Sequence, residues 1–539
     1  MTAQKKKPMG PVAFVGIGPG DAGLLTVRAA QVLAGADVVV VGPDVPPATR
    51  QELLHRCCRP GVEVVELATE GAPALTPSAR ARLVVRAARS GGAVARLLVG
   101  DGVTFAGLGE ELGACRRAGL VTEVVPGVPL HVAVPMYAGI PTTSSAATAV
   151  HVVDASARLE PSSLLDERST VILLGGRGEL AAAVVSLVDA GRSASGAVAV
   201  TARGSSTEQV TVVSTLEELP KILDDAGDED FPRPLVAITG PSVDLRSGTS
   251  WFETRPLFGW RVLVPRTQAQ SGSITAALAG LGAVSDVVPT ISVEPPRTPH
   301  QMEKAVKGLV TGRYEWVGFT SVNAVRAVRE KFVEFGLDAR AFAGLKIAAV
   351  GGVTAAALRE WGLEPDLVPA GEQSAHGLLE EWPPFDDVLD PINRVFLPRA
   401  DIATDTLVAG LQELGWEVDD VTAYRTVRAA PPASAVRDAI KNGSFDAVVF
   451  TSSSTVRNLV GIAGKPHPST VVACIGPATA STAEEHGLRV DVLAAEPSAE
   501  SLVQALAEFG TGLRSAAGES GEPLQRPSQR RPGVRRRVR

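Results

Sequence analysis

Four segments of this chain occur twice, in the same order. Arg261-Val-Leu-Val-Pro-Arg266 returns as Arg394-Val-Phe-Leu-Pro-Arg399, and Phe319-Thr-Ser321 with Val325-Arg326 returns as Phe450-Thr-Ser452 with Val456-Arg457. Val350-Gly-Gly-Val-Thr354 returns as Ile475-Gly-Pro-Ala-Thr479, and Gly362-Leu363 as Gly487-Leu488. The separations are 133, 131, 125 and 125 residues. Such near-constant offsets imply two similar lobes. Two copies are too few for a solenoid, which needs at least three. Two lobes make a cleft.

Each repeated motif falls at a strand-to-helix junction. Trp316 to Phe319 reads as a strand, Thr320 and Ser321 end it, and Ala324 to Phe332 reads as a helix. Ala447 to Phe450 followed by Thr451, Ser452 and Ser453 repeats the arrangement. Ser and Thr are favoured N-caps. Ile347–Val350 and Val471–Ile475 feed Gly-rich turns that end in Thr354 and Thr479, each opening a helix. Ligands of open α/β sheets bind at the carboxyl ends of strands, and helix N-termini there suit anions. Thr320, Ser321, Thr354, Thr451, Ser452, Ser453 and Thr479, with Arg266, Arg326 and Arg399, are therefore candidate carboxylate or phosphate seats. The plainer reading is that the hydroxyls only cap helices. No GxSxG, HExxH or paired-carboxylate signature occurs in this half, and Tyr314 and Tyr424 are its only tyrosines.

The first half also alternates strands and helices, which implies mostly parallel sheets covered by helices. It opens with a buried strand running into Gly16-Ile-Gly-Pro-Gly-Asp21. Further strands are expected at 38–41, 93–98, 121–125, 170–174, 196–201, 211–214 and 235–238. At 539 residues the length prior is three or four domains. Aromatics make up only 4%, which disfavours base-stacking single-strand binding. No apolar run reaches the ~18 residues of a membrane span. Lys5-Lys6-Lys7 has the charge of a leader's n-region, but Gly16 to Asp21 breaks any apolar h-region, so export is not expected. The four cysteines form no CxxC and lie at no zinc spacing from a histidine. A reduced cytoplasmic protein with no metal site is expected. The net charge of −7 is uneven: residues 511–539 hold eight Arg and two Glu. That Gly/Ser/Pro/Arg-rich tail reads as disordered, its cluster Arg535-Arg-Arg537 suited to an acidic surface. Neither nucleic acid nor membrane is an expected partner.

The ordered set in the second half, with Pro365-Asp-Leu-Val-Pro369 and Ala423-Tyr-Arg-Thr426 added, resembles uroporphyrinogen-III synthase over residues 257–510. The resemblance implies two flavodoxin-like parallel-sheet lobes flanking a cleft, threaded so that about 257–290 joins 425–510 while 291–424 forms the other lobe. It implies hydroxymethylbilane as substrate, a linear tetrapyrrole with eight carboxylates. The implied reaction loses water, inverts ring D and closes the macrocycle to uroporphyrinogen III, without a cofactor. By the family's pattern Tyr424 assists departure of the hydroxyl; the alternative is a packed strand tyrosine.

Residues 11–246 resemble the tetrapyrrole methylases, specifically uroporphyrinogen-III C-methyltransferase. The resemblance rests on Val15-Gly-Ile-Gly-Pro-Gly-Asp21 with Leu24-Leu-Thr26, Gly100-Asp101, Gly109-Glu-Glu111, Val125-Pro-Gly-Val128 and Ala138-Gly-Ile-Pro141. It implies a two-domain α/β fold, with S-adenosylmethionine in the cleft near Pro19, Gly100, Asp101 and Leu174, and it makes this half a candidate homodimer surface. The sequence departs from the family at Val99-Gly-Asp-Gly102 (for Gly-Gly-Asp-Pro), Gly42 (for Asp), Leu174 (for Met) and Ser144-Ser145 (for His-Arg). The expectation is a tetrapyrrole-biosynthesis fusion whose second half is the synthase. The rivals are a methyltransferase whose second half presents substrate, and a two-lobed anion-binding protein without chemistry.

Overall fold

The computed structural model describes residues 9–67, 75–104, 107–227, 229–267 and 271–530. The lysines at 5–7 and the arginines at 535–537 lie outside them. The chain forms two compact units. The first runs to Trp260 and takes in Ala277–Val284 and Ala507–Leu524; the second comprises Arg261–Ala276, Ser285–Leu506 and the segment from Gln525.

The first unit carries two five-stranded sheets. Strands β1 (Val12–Gly16), β2 (Val38–Val41), β3 (Glu63–Glu66), β4 (Val94–Leu98) and β5 (Thr122–Val125) lie in the order β3-β2-β4-β1-β5, all parallel. Every residue of β1, β2 and β4 is buried. Central parallel strands are covered on both faces, so they read as continuous apolar runs rather than alternations. Thr26 and Thr76 cap the helices Val27–Ala34 and Pro77–Ala88, their hydroxyls accepting from Ala29 N and Ala79 N.

The second sheet corrects the expectation of parallel strands. Its members are β6 (Ala149–Asp154), β7 (Ser169–Gly175), β8 (Ala197–Ala202), β9 (Val210–Thr215) and β10 (Leu235–Thr239), in the order β6-β7-β10-β8-β9. Only β6 and β7 are parallel; β10 is antiparallel to both neighbours, and β8 pairs antiparallel with β9. The connection from β8 to β9 is seven residues, too short for the crossover a parallel pair needs.

In the second unit the sequence repeat becomes a structural one. Strands β11 (Arg261–Val264) and β12 (Val284–Val287) start one sheet. The chain then builds β13 (Ile291–Glu294), β14 (Trp316–Phe319), β15 (Lys346–Ala349), β16 (Arg394–Ala400) and β17 (Glu417–Arg428) into another, and returns for β18 (Ala447–Phe450), β19 (Val471–Cys474) and β20 (Val492–Leu493). The orders are β12-β11-β18-β19-β20 and β13-β17-β16-β14-β15. Matching repeated segments shows that β12-β11-β18-β19 and β17-β16-β14-β15 are the same arrangement. The added strand β13 pairs antiparallel with the end of β17, from Ile291 opposite Arg428 to Glu294 opposite Arg425.

The tail also requires correction. The helix Ala499–Ser520 continues past residue 511. Leu502, Val503, Leu506, Ala507 and Gly510 give it a buried stripe, the spacing of an amphipathic helix. Arg514 donates from Nη2 to the carbonyl of Arg255 at 3.0 Å, and Pro527 is buried. Ser528 N donates to Asp446 Oδ1 at 2.9 Å.

Candidate functional site

Tyr424 sits on β17 at a bulge. The β16–β17 register runs from Arg394 opposite Glu417 to Arg399 opposite Thr422, then skips Ala423, so that Ala400 faces Tyr424. One extra residue re-aims the side chain that follows it. Tyr424 is 7% exposed and lines a cavity of about 520 Å³ with Thr267, Ile291, Asn323 and Arg326. Its Oη lies 2.9 Å from Ser321 Oγ. Ser321 is the N-cap of the helix Val322–Glu334 and accepts from Ala324 N at 3.1 Å.

A smaller cavity of about 180 Å³ shares Thr267 and Ile291 with the first and is lined by Arg266, Thr290, Thr451, Ser452, Ser454 and Thr455. Ser452 caps the helix Ser453–Ala463, accepting from Thr455 N. Arg266 is half-buried, and burial lowers its pKa from the usual guanidinium value. No carboxylate pairs with it among the described residues. An unpaired guanidinium beside a helix N-terminus suits an anion.

The remaining seats fare differently. Arg399 is 5% exposed, and its guanidinium is forked onto Asp420, with Nε to Oδ1 at 2.6 Å and Nη2 to Oδ2, while Nη1 donates to the Thr404 carbonyl at 2.5 Å. Its hydrogen bonds to Asp420 raise its pKa, ahead of the opposing effect of burial. With its charge already met, Arg399 is corrected from an anion seat to a structural ion pair. Thr354 and Thr479 are also corrected. Their helices start at Gly352 and Pro477, capped by Gly351 and Gly476, and both threonines are buried third residues that line neither cavity. Ser453 Oγ donates to the Ala478 carbonyl at 3.0 Å, and Thr320 lines neither cavity.

In the first unit a cavity of about 510 Å³ is lined by Asp44, Arg80, Arg96, Leu98, Val99, Thr104, Leu130, Asp154, Leu174 and Arg233, among others. Leu174 stands on its wall. Asp101 is not among the lining residues; its carboxylate accepts from Val103 N and Thr104 N at 2.9 Å and from Thr104 Oγ1 at 2.6 Å. Burial pushes its pKa up, but these hydrogen bonds outweigh burial and hold it below the usual range. Gly100 has φ +74° and exchanges backbone hydrogen bonds with Gly18. A Cβ at Gly127 would overlap Gly16 and the Gly100 carbonyl, so the Pro-Gly motif is a close approach of three loops. Pro19 is buried and stands outside the lining of this cavity. Its neighbour Asp21 acts as a clasp, taking Tyr137 Oη at 2.9 Å and Gly23 N at 2.7 Å.

A family model described as uroporphyrinogen-III synthase HemD matches residues 272–504, and one described as tetrapyrrole (corrin/porphyrin) methylases matches residues 11–220. The porphyrin biosynthesis protein HemD of Ruminiclostridium josui is 30% identical over 516 residues, covering 93% of this chain and 99% of that protein. The chain belongs to this HemD family. It carries a tetrapyrrole methylase domain and a uroporphyrinogen-III synthase domain fused in that order. Siroheme synthase 2 of Yersinia pestis (strain Pestoides F) is 35% identical over 256 residues, 46% of this chain; the match spans 52% of that protein. The uroporphyrin-III C-methyl transferase of Thermus thermophilus is 28% identical, covering 44% of this chain and 94% of that structure, with a TM-score of 0.36.

Two features of this HemD-family chain escaped the sequence reading. The hydrogen bond between Ser321 and Tyr424 joins residues 103 apart; each residue was a candidate by itself, but nothing in the sequence paired them. The other is a buried ion cluster. Glu111, fully buried, accepts from Arg80 Nε at 2.5 Å and from Arg96 Nε at 3.3 Å. Burial lowers the pKa of Arg96, against the pull of Glu111 and Asp44. An arginine inside the apolar run Val94–Leu98 was the available signal.

Proposed function

We propose that the second unit closes hydroxymethylbilane to uroporphyrinogen III at the paired cavities, with Tyr424 assisting departure of the hydroxyl. One observation carries this reading: a buried tyrosine, re-aimed by a bulge, lines the 520 Å³ cavity with its hydroxyl held at a helix N-terminus. Pyrrole electrons expel the hydroxyl from the terminal carbon. The C–O bond breaks, the pyrrole N–H proton balances the departing hydroxide, and water leaves. The phenol donates a hydrogen bond to the oxygen as charge develops on it, a contact worth most in the transition state. Arg266 and the N-terminus at Thr451–Ser452 take substrate carboxylates in the adjoining cavity. The rest is restraint of geometry, which sets the ring D outcome.

The first unit's cavity fits S-adenosylmethionine by its donor set. Leu98, Val99, Leu130 and Leu174 offer an apolar wall, and Asp44 and Asp154 offer carboxylates for a cationic group. When bound, that group supplies an electrophilic methyl. The chain's own part is to bind it and exclude water. The test is product analysis of the full chain with hydroxymethylbilane. The type III isomer is expected; only the type I isomer, the spontaneous closure, refutes the synthase reading. Methylated product on adding S-adenosylmethionine supports activity of the first unit.

A further inference from the structure

The hydroxyl hydrogen of Tyr424 can serve a leaving group only if it is not spent on a neighbour. Among the described residues the one hydrogen-bond partner of Tyr424 Oη is Ser321 Oγ, at 2.9 Å, and either oxygen can be the donor. Donor counting resolves the direction. A serine hydroxyl carries one hydrogen and two acceptor lone pairs. Ser321 Oγ already accepts the Ala324 N–H at 3.1 Å. Beside the positive end of a helix, the hydroxyl's lone pairs are favoured toward the amides and its hydrogen away from them. That hydrogen then points to Tyr424 Oη. The chain of donors runs from Ala324 N–H to Ser321 O–H to Tyr424 O–H, and each bond polarises the next.

The repeat supplies an internal comparison. Ser452 holds the equivalent N-cap, with backbone angles of −171° and 160° against −162° and 157° at Ser321, and it too accepts from the third amide of its helix. Its outward partner is Ser454 Oγ at 2.9 Å, not a tyrosine. Capping a helix at this junction therefore does not require the tyrosine contact. It is an addition made in one lobe, the one whose strand carries the bulge.

We propose that Ser321 is a positioning residue for the ring-closing step: it donates to Tyr424 Oη and so frees the phenol hydrogen for the departing hydroxyl. This rests on the role proposed for Tyr424, and the experiment separates the two. In the full chain, Ser321→Gly removes the donor while keeping a residue tolerated at an N-cap. It should lower kcat for hydroxymethylbilane by about tenfold, equivalent to about 1.4 kcal/mol, with KM within about twofold, because the carboxylate seats are elsewhere. Ser321→Thr, which keeps cap and donor, should restore kcat to within about twofold. In the Tyr424→Phe background, Ser321→Gly should cost nothing further, since a residue acting through the phenol has nothing left to act on. A merely structural serine would slow both backgrounds by the same factor, and that result overturns the proposal. Tyr424→Phe slow with Ser321→Gly at full speed also overturns it but leaves the tyrosine role intact. Tyr424→Phe at full speed defeats both.

Discussion

Glu111→Gln is the sharpest test of how the first unit holds together. Glu111 is fully buried between two guanidiniums, and Arg96 is only 2% exposed. Replacing the carboxylate by an amide strands the Arg96 charge in the interior. Removing one partner of a buried ion pair costs about 3–5 kcal/mol. At about 2–4 °C per kcal/mol for a domain of this size, the first unit's unfolding should fall by roughly 6–20 °C. Calorimetry of the full chain measures the shift, and hydrogen exchange of β4 assigns it to the correct unit. The control is Glu123→Gln, whose carboxylate meets Arg28 in solvent with both side chains exposed; screening there should leave the transition in place. Combining Arg96→Met with Glu111→Leu should recover part of the loss, because the stranded charge goes with its partner, while Arg80, with 20% of its side chain exposed, reaches water. A shift below about 2 °C for Glu111→Gln, or a double variant worse than the single one, would refute the reasoning.

Tyr424→Phe should slow ring closure about 10- to 100-fold, the scale of one positioned donor, with KM barely moved; single-turnover assays with hydroxymethylbilane decide it. Burial and then Asp21 push the Tyr137 phenol up to about 12. Its contribution to stability should therefore be complete below about pH 10 and lost as pH rises toward 12. Denaturant midpoints across that window should fall less in Tyr137→Phe. Truncation after Gly510 removes the Arg514 contact, the buried Pro527 and the Ser528 hydrogen bond; thermal unfolding should show a loss of about 1–3 kcal/mol, contrary to a disordered tail. Gly127→Ala should destabilise the first unit, since its added carbon meets backbone rather than a flexible side chain, and reduced soluble yield with a lowered melting temperature would register it.

The elements were legible where burial wrote them into local composition. Val38–Val41 and Val12–Gly16 announce central parallel strands, and the Thr-Ser pairs at 320–321 and 451–452 mark caps. What the residues could not announce depends on partners distant in sequence. Arg399 looks like a free cation until β16 lies beside β17 and brings Asp420 to it. Thr354 and Thr479 look like ligand hydroxyls until their helices are seen to start two residues earlier. The helix to Ser520 was hidden by Gly, Ser and Arg, which lower the mean apolarity without breaking its period. Tyr424 was legible as a residue; the bulge that aims it was not, because a skipped pairing exists only between two strands.

The sheet formed by β13 to β17 is inserted between β12 and β18, and the two ends of the insert meet where Ile291 faces Arg428. That topology imposes an order on synthesis. Strand β11 pairs with β18, whose first residue follows Val264 by 183 positions. At roughly 5–20 residues per second, a nascent chain carries β11 without that neighbour for about 10–40 s. The inserted lobe, from β13 to β17, has all its strands available before β18 is made. On the ribosome it should fold first and act as a clamp that draws the two halves of the earlier sheet together. That shortens the effective loop from about 180 residues to the few that flank the clamp, and with it the entropy of closure.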